Sequence, residues 1–327
     1  KIEELLKQGA TIIGNKPSIA HGLTGNDAEV IALANELWGN LDEQSTKERT
    51  VGKGKLIWGL TPREVLLDKG IIPDITFKTA SPFDTLDYIH RKLDQTDIYF
   101  IRNPYDQEIN ALVTTRITDK QPEIWNPENG DILPLSIYTS AETATTLPLT
   151  LTPYESVFLV FRQEHPRQVT VKKEGVIIFP TEQVPDPWPF RDLGSGHIQL
   201  IDAETLAINN QKMTSKPPSS ITMENDTWQI RFQDPWGEQF KASTDELVSW
   251  SAFDNPRVAY FSGSGTYQNR FSFTEELTED DKLVILRLGR VEEVGEVFIN
   301  GESAGLAWTN PAKMDITPYV KPGVNTL

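Results

Sequence analysis

The sequence predicts a multidomain chain that is α/β at its start and all-β afterwards. Three observations carry that expectation. Residues 1–95 alternate helix-like apolar spacing with short apolar runs, the pattern of a small parallel sheet flanked by helices. From Asp97 onward apolar and polar residues alternate with period two. After Trp228 short strands follow one another, separated by turn-forming dipeptides, as in an antiparallel sandwich.

In order along the chain, Ile2, Leu5 and Leu6 share one helical face and Gly9 suits the position after a helix end. Ala10 to Ile13 reads as a strand. Asn26 and Glu29 have capping-box spacing ahead of Val30, Leu33, Ala34, Leu37 and Trp38, which recur at i, i+3, i+4, i+7 and i+8. Lys55 to Trp58 predicts a second strand. Thr61, Pro62 and Glu64 then supply an N-cap, a first-turn proline and a capping partner, and Gly70 closes that helix. Trp38 and Trp58 are expected in the core. Between Asp84 and Leu93 the pattern fits a helix through Leu86, Ile89 and Leu93, or a strand through Leu86, Tyr88 and His90.

Ile109 to Ile117 alternates cleanly, as do Leu147, Leu149 and Leu151, and a turn at Pro153 to Ser156 leads into Val157 to Phe161. Trp125 to Asp131 reads as a hairpin tip. His165-Pro166 begins a junction into Val169 to Phe179. Pro180 to Pro189 is a linker or wrapping loop, and Thr214 to Ser220 an exposed loop.

Trp228 to Phe232 opens the last sandwich. Leu283 to Leu288 is apolar on both faces and predicts a central, doubly covered strand after an acidic turn at Glu279 to Asp281. Val297 and Ile299 point one way and Phe298 the other, and Asn300-Gly301 is the preferred dipeptide of a tight hairpin.

The block from Ser249-Trp250-Ser251 through Tyr260-Phe261-Ser262-Gly263, Val297 to Gly301 and Trp308-Thr309-Asn310-Pro311 resembles a galactose-binding-like jelly-roll sandwich. Such sandwiches lie near the C-terminus of large bacterial glycoside hydrolases, and the nearest resemblance is to multidomain α-L-rhamnosidases of the family 106 type. Ile89-His90-Arg91 followed by Asp97 to Asn103 resembles the same proteins and favours the strand reading there. The first segment resembles the glutamine-amidotransferase-like domain beside the barrel of β-galactosidase-type enzymes. It lacks the nucleophilic cysteine such a domain needs, since the chain contains none.

The resemblance implies three domains: an amidotransferase-like α/β domain at 1–95, a small β-sandwich at 96–164 and a galactose-binding-like sandwich at 165–327. The run Gly323 to Leu327 resembles a last strand cut short, so the chain is expected to be a fragment. The resemblance further implies a parent that cleaves terminal rhamnose by inversion in an N-terminal barrel holding calcium, and a periplasmic or secreted location. This chain would buttress that barrel, with no catalytic residue and no cofactor or metal of its own.

Composition narrows the classes. A formal charge of −16 opposes binding to nucleic-acid phosphates or anionic lipid. Absence of cysteine removes disulfides, thiolate metal sites and cysteine nucleophiles. No apolar run is long enough to span a membrane as a helix.

Hydrolysis of a glycosidic bond needs an acid and a second carboxylate in defined geometry, which 47 acidic residues do not by themselves supply. Asn126 to Asp131 gathers oxygens but lacks the order of a calcium loop, and turn formation accounts for it. His90 with Arg91 reads as a strand end pairing an acid, and His21, His165 and His197 show no ligand spacing. The residues proposed for carbohydrate contact are Trp250, Asp254, Tyr267, Trp308 and Asn310, at strand ends beside polar turns, with sandwich closure as the competing role. Rival readings are a stand-alone carbohydrate-binding module, a scaffold without ligand, and a β-galactosidase-like parent.

Overall fold

The computed structural model of the 327-residue chain describes residues 1–22, 25–201, 205–214, 221, 223, 227–273, 283–310 and 312–327. The expected acidic turn at 279–281, most of the loop at 214–220 and Pro311 lie outside the described residues. By its internal contacts the chain divides into two units, Lys1–Asp74 and Ile75–Leu327.

In the first unit, α1 (Ile2–Gln8) ends at Gly9, whose φ of 106° is left-handed. It is followed by β1 (Thr11–Ile13), α2 (Asp27–Trp38), β2 (Glu48–Val51), β3 (Gly54–Ile57) and α3 (Pro62–Asp68). The Asn26 side chain caps α2 by accepting from the backbone N–H groups of Ala28 and Glu29. Thr61 and Glu64 form a complete capping box on α3. Ala34, Leu37 and Trp38 of α2 join Leu6, Leu41 and Leu56 in the core, while Leu33 on the predicted face is 40% exposed. The Trp38 indole donates to the Gly14 carbonyl at 3.1 Å.

β1 and β3 are parallel, with Ile12 opposite Leu56, and β2 and β3 form an antiparallel hairpin. This corrects the amidotransferase-like expectation. A sheet of three strands with one parallel pair is too small and too mixed for such a domain.

The second unit begins with β4 (Ile75–Thr79), β5 (Asp87–Leu93), β6 (Thr96–Arg102), β7 (Ile109–Thr115), β8 (Lys120–Trp125), β9 (Ile132–Pro134), β10 (Thr139–Ser140), β11 (Thr145–Leu151) and β12 (Ser156–Glu164). They make two sheets, ordered β10-β11-β7-β4 and β5-β6-β12-β8-β9. Tyr99, Ile101, Val113, Leu147, Leu159 and Phe161 are fully buried between them. Because β4 and β5 pair into these sheets, the first unit ends well before the expected boundary at residue 95. The ambiguous stretch at 84–93 is strand.

Next come β13 (Val171–Lys173), β14 (Val176–Phe179), β15 (Phe190–Asp192), β16 (Ile198–Leu200), β17 (Thr205–Ile208) and β18 (Gln211–Thr214). Leu112, on the face of β7 turned away from the first core, joins Val171, Phe179, Val184, Trp188 and Phe190 in a second cluster. The proline-rich stretch at 180–189 therefore wraps, anchored by buried Val184 and Trp188. The Asp192 carboxylate clamps it from the far end, accepting from Ser136, Ile137 and Gly194 N–H groups at 2.6, 2.6 and 3.0 Å.

The remainder is β19 (Trp228–Gln233), β20 (Gln239–Thr244), α4 (Pro256–Ala259), β21 (Ser264–Gln268), β22 (Arg270–Phe273), β23 (Ile285–Gly289), β24 (Gly295–Ile299), β25 (Glu302–Ala307), β26 (Ala312–Asp315) and β27 (Gly323–Thr326). These pair as a β20-β19-β21 sheet and the ladders β22-β27, β23-β26 and β24-β25. Val297 and Ile299 are buried and Phe298 is exposed, as alternation predicts. Asn300 and Gly301 both have positive φ, at 54° and 86°, in the tight turn between β24 and β25.

The expected central strand at 283–288 is an exposed one. β23 pairs with β26, and its residues alternate, with Ile285 41% exposed while Leu286 and Leu288 pack inward. β27 pairs antiparallel with β22, with Arg270 opposite Thr326 and Phe273 opposite Gly323.

Candidate functional site

The five residues proposed from sequence divide between two places. Trp250 and Tyr267 meet: the indole N–H of Trp250 donates to the Tyr267 hydroxyl at 2.6 Å. Trp250 also stands edge-on to Phe232 and Phe261, with ring centroids 5.2 and 5.7 Å away. Both partners are thus spent on closing the β20-β19-β21 sheet, and Gly265 leaves room for the Trp250 ring that a Cβ would fill at 2.7 Å. Asp254 is exposed in the turn before α4.

Trp308 and Asn310 lie elsewhere, on a cleft of about 470 Å³ between the β12 end of the first sandwich and the β25-β26 region. Trp308 is 52% exposed there. Tyr154, 62% exposed and held at φ 57°, lines the same cleft. A large aromatic that keeps half its surface in water forgoes burial energy of the order of 25 cal/mol per Å². Two of them on one concave surface make a platform for an apolar ring face. The Asn310 amide bonds both ways with the Val291 backbone at 2.8 and 3.0 Å and fixes the loop carrying Trp308.

The Tyr154 side of the cleft is set by a local motif. Glu155 accepts from the Thr152 N–H at 2.6 Å and from the Thr152 hydroxyl at 2.8 Å, while the Glu155 N–H donates to the Thr152 carbonyl. Asn103 donates to the carbonyls of Thr152 and Gln107, locking the same loop to the sandwich. Two carboxylates, Glu128 and Glu155, line the cleft, and one oxygen of Glu155 is committed to Thr152.

Lys313, from β26, lines the cleft as well. More than a third of the residue remains exposed, yet enclosure of its ammonium group pulls its pKa below the ordinary lysine value. Repulsion from Arg191 and Arg287 adds to that direction, and Glu155 and Glu108 oppose it.

A second recess, of about 340 Å³, lies beside the β19–β20 turn. Trp236 and Tyr260 line it and are each 89% exposed. The turn is rigid: Asp234 accepts from the N–H groups of Trp236 and Glu238 at 2.9 and 2.8 Å. Arg257 lies over the Phe240 ring, 4.3 Å from its centroid, and pairs with Glu238.

The remaining candidates are structural. His90 stacks on Tyr99 at 4.0 Å and its Nε2 is 3.3 Å from Asp97, which also accepts from Lys120 at 3.1 Å. At the hairpin tip, Asn126 and Asn129 side-chain oxygens accept from Glu128 and Asp131 N–H groups. Among the described residues no group of three or more His, Asp or Glu is placed to hold a metal ion, and no helix is long and apolar enough to cross a membrane.

Sequence reasoning missed Tyr154, Glu155 and Lys313. Thr152 and Glu155 have S/T-x-x-E spacing, a readable signal for a fixed turn. Nothing local announces that this turn would line one cleft with Trp308, about 150 residues later.

With that geometry in view, the likenesses to known proteins fall in one direction. A family model described as alpha-L-rhamnosidase, glycoside hydrolase family 106, matches residues 1–140. A structure of rhamnosidase from Novosphingobium sp. PP1Y superposes with a TM-score of 0.72 and 26% identity over 99% of this chain and 27% of that one. A Formosa agariphila protein described as "Putative beta-glucuronidase" is 24% identical over 511 aligned positions, covering all of this chain and 43% of the relative. The chain spans less than half the length of either relative and resembles an accessory region of α-L-rhamnosidase-like glycoside hydrolases.

Proposed function

We propose that this chain is the non-catalytic accessory part of an α-L-rhamnosidase-like glycoside hydrolase, periplasmic or secreted, and that the cleft beside Trp308 contacts its carbohydrate. The observation that carries this reading is the pair of half-exposed aromatic rings, Trp308 and Tyr154, on one polar-floored concave surface. Sugar rings have apolar faces and polar edges, and an aromatic platform ringed by Asn, Thr and carboxylate groups suits both.

A non-catalytic role is supported by the state of the cleft acids. Glycoside hydrolysis needs one carboxyl held as an acid and a second free to attack or to activate water. Glu155 is tied to Thr152, and Glu128 sits at an open hairpin tip. The intact 327-residue chain is expected to bind L-rhamnose at roughly millimolar strength by calorimetry. Trp308→Ala should weaken that binding about tenfold, the value of one stacked ring. The same chain should release no nitrophenol from nitrophenyl α-L-rhamnoside. Flat titrations refute the carbohydrate contact, and measurable turnover refutes the non-catalytic role.

A second reading, a frame for the parent's catalytic barrel, is favoured by Trp236 and Tyr260. Two aromatics, each 89% exposed on rigid supports, suit burial against another protein surface.

A further inference from the structure

Beside the aromatic platform, positive charge is gathered in a way that the fold itself does not explain. Arg287 and Lys313 are directly opposite each other on β23 and β26. Side chains at opposed antiparallel positions share a face, so two like charges there destabilise the pair unless an anion lies between them. Neither has an ion pair or hydrogen bond among the described contacts, in a chain whose formal charge is −16 and whose acids outnumber its bases 47 to 31.

Arg191 stands close enough to repel Lys313. One edge of its guanidinium is used, with Nη2 donating to Glu108 at 3.0 Å. Its Nε is buried and has no partner. A buried guanidinium N–H without an acceptor is unfavourable, the more so on a charged group. Of these cations Lys313 lines the cleft and Arg287 stands opposite it in the ladder, while Arg191, Glu108 and Glu155 act on the charge of Lys313 from nearby. Glu108 is taken by Arg191, and Glu155 is held by Thr152. Glu128 lines the cleft from the hairpin tip.

From this arrangement we infer that the cleft selects an acidic saccharide, with Lys313 and Arg287 receiving an anionic substituent of the sugar while Trp308 and Tyr154 hold its ring. The anionic group is a uronate carboxylate or a sulfate ester; both present the planar or tripodal oxygens that ammonium and guanidinium donors pair with. The inference rests on the reading that this cleft takes carbohydrate. The lowered pKa of Lys313 agrees with it, because an incoming anion would restore the charged form that enclosure disfavours.

The test compares three ligands by calorimetry on the intact chain at low salt: methyl β-D-glucuronide, glucose 6-sulfate and methyl β-D-glucoside. At least one anionic sugar should bind about tenfold more tightly than the glucoside, the lower end for a charge-assisted contact in a partly open site. The tighter of the two identifies the group. Lys313→Gln should reduce the preference to about twofold or less, and Arg287→Gln, at an exposed position, gives an independent measure should the first variant fold poorly. Trp308→Ala should weaken all three ligands alike. Equal binding of all three sugars overturns the inference and leaves the carbohydrate cleft standing. A preference that survives both charge variants, or an anionic sugar indifferent to Trp308→Ala, overturns it too. No binding by any of the three while L-rhamnose still binds overturns the inference alone, and a flat L-rhamnose titration as well removes both readings.

Discussion

Tyr138 illustrates how one buried residue sets a condition on the whole. It is fully buried, its hydroxyl donates to the His165 carbonyl at 2.6 Å, and the His165 Nδ1 lies 2.8 Å away. Loss of hydration pushes its pKa from 10.0 up to about 12. The phenol is thus harder to ionise in the folded chain than in the unfolded one. Its contribution to stability is complete below pH 10 and is lost as pH rises through about 12. Denaturant titrations should show stability falling across that window, and Tyr138→Phe should flatten the fall. At neutral pH the same variant should cost about 1 kcal/mol, because the His165 carbonyl loses its donor. At this scale the sequence was partly readable: Trp38 follows from helical spacing, whereas the meeting of Tyr138 with His165 needs the tertiary fold.

Elements were more legible where the signal is local. The α3 capping box and the Asn300-Gly301 turn come straight from residue chemistry, since a cap or a positive φ is decided within four residues. Gly301→Ala places a side chain at φ 86° and should cost about 1–2 kcal/mol, read as a lower chemical denaturation midpoint. β23 was misjudged for a related reason. Its apolar run looks doubly covered, but Ile285 faces out while Val284, Leu286 and Leu288 pack against the core. Composition cannot tell a buried second face from an exposed one. Trp250 and Tyr267 were sensible sugar candidates by type, and only the 2.6 Å bond between them shows that each already has a partner.

Across the whole molecule, two units with separate cores imply two unfolding events. Residues 1–74 pack around Leu6, Leu37, Trp38 and Leu56, and the larger unit has several clusters of its own. Calorimetry should resolve two transitions. Gly54→Ala should lower only the smaller one, because its Cβ would lie 2.4 Å from the Ala10 carbonyl oxygen and 2.6 Å from that of Leu6. A single transition shifted as one would contradict this. The predominance of β-structure after residue 97 was legible in outline. The pairing between Ile75–Thr79 and Ile109–Thr115 was not, because it links segments that no local pattern connects.

The uneven wetting of the indoles has a practical use. Trp188 is sealed at 1% exposure, Trp308 is half open, and Trp236 stands almost wholly in water. Iodide should therefore quench the emission of Trp236 first and leave Trp188 untouched. A bound sugar should shield Trp308 alone, so the protein carries its own optical gauge of which surface is occupied.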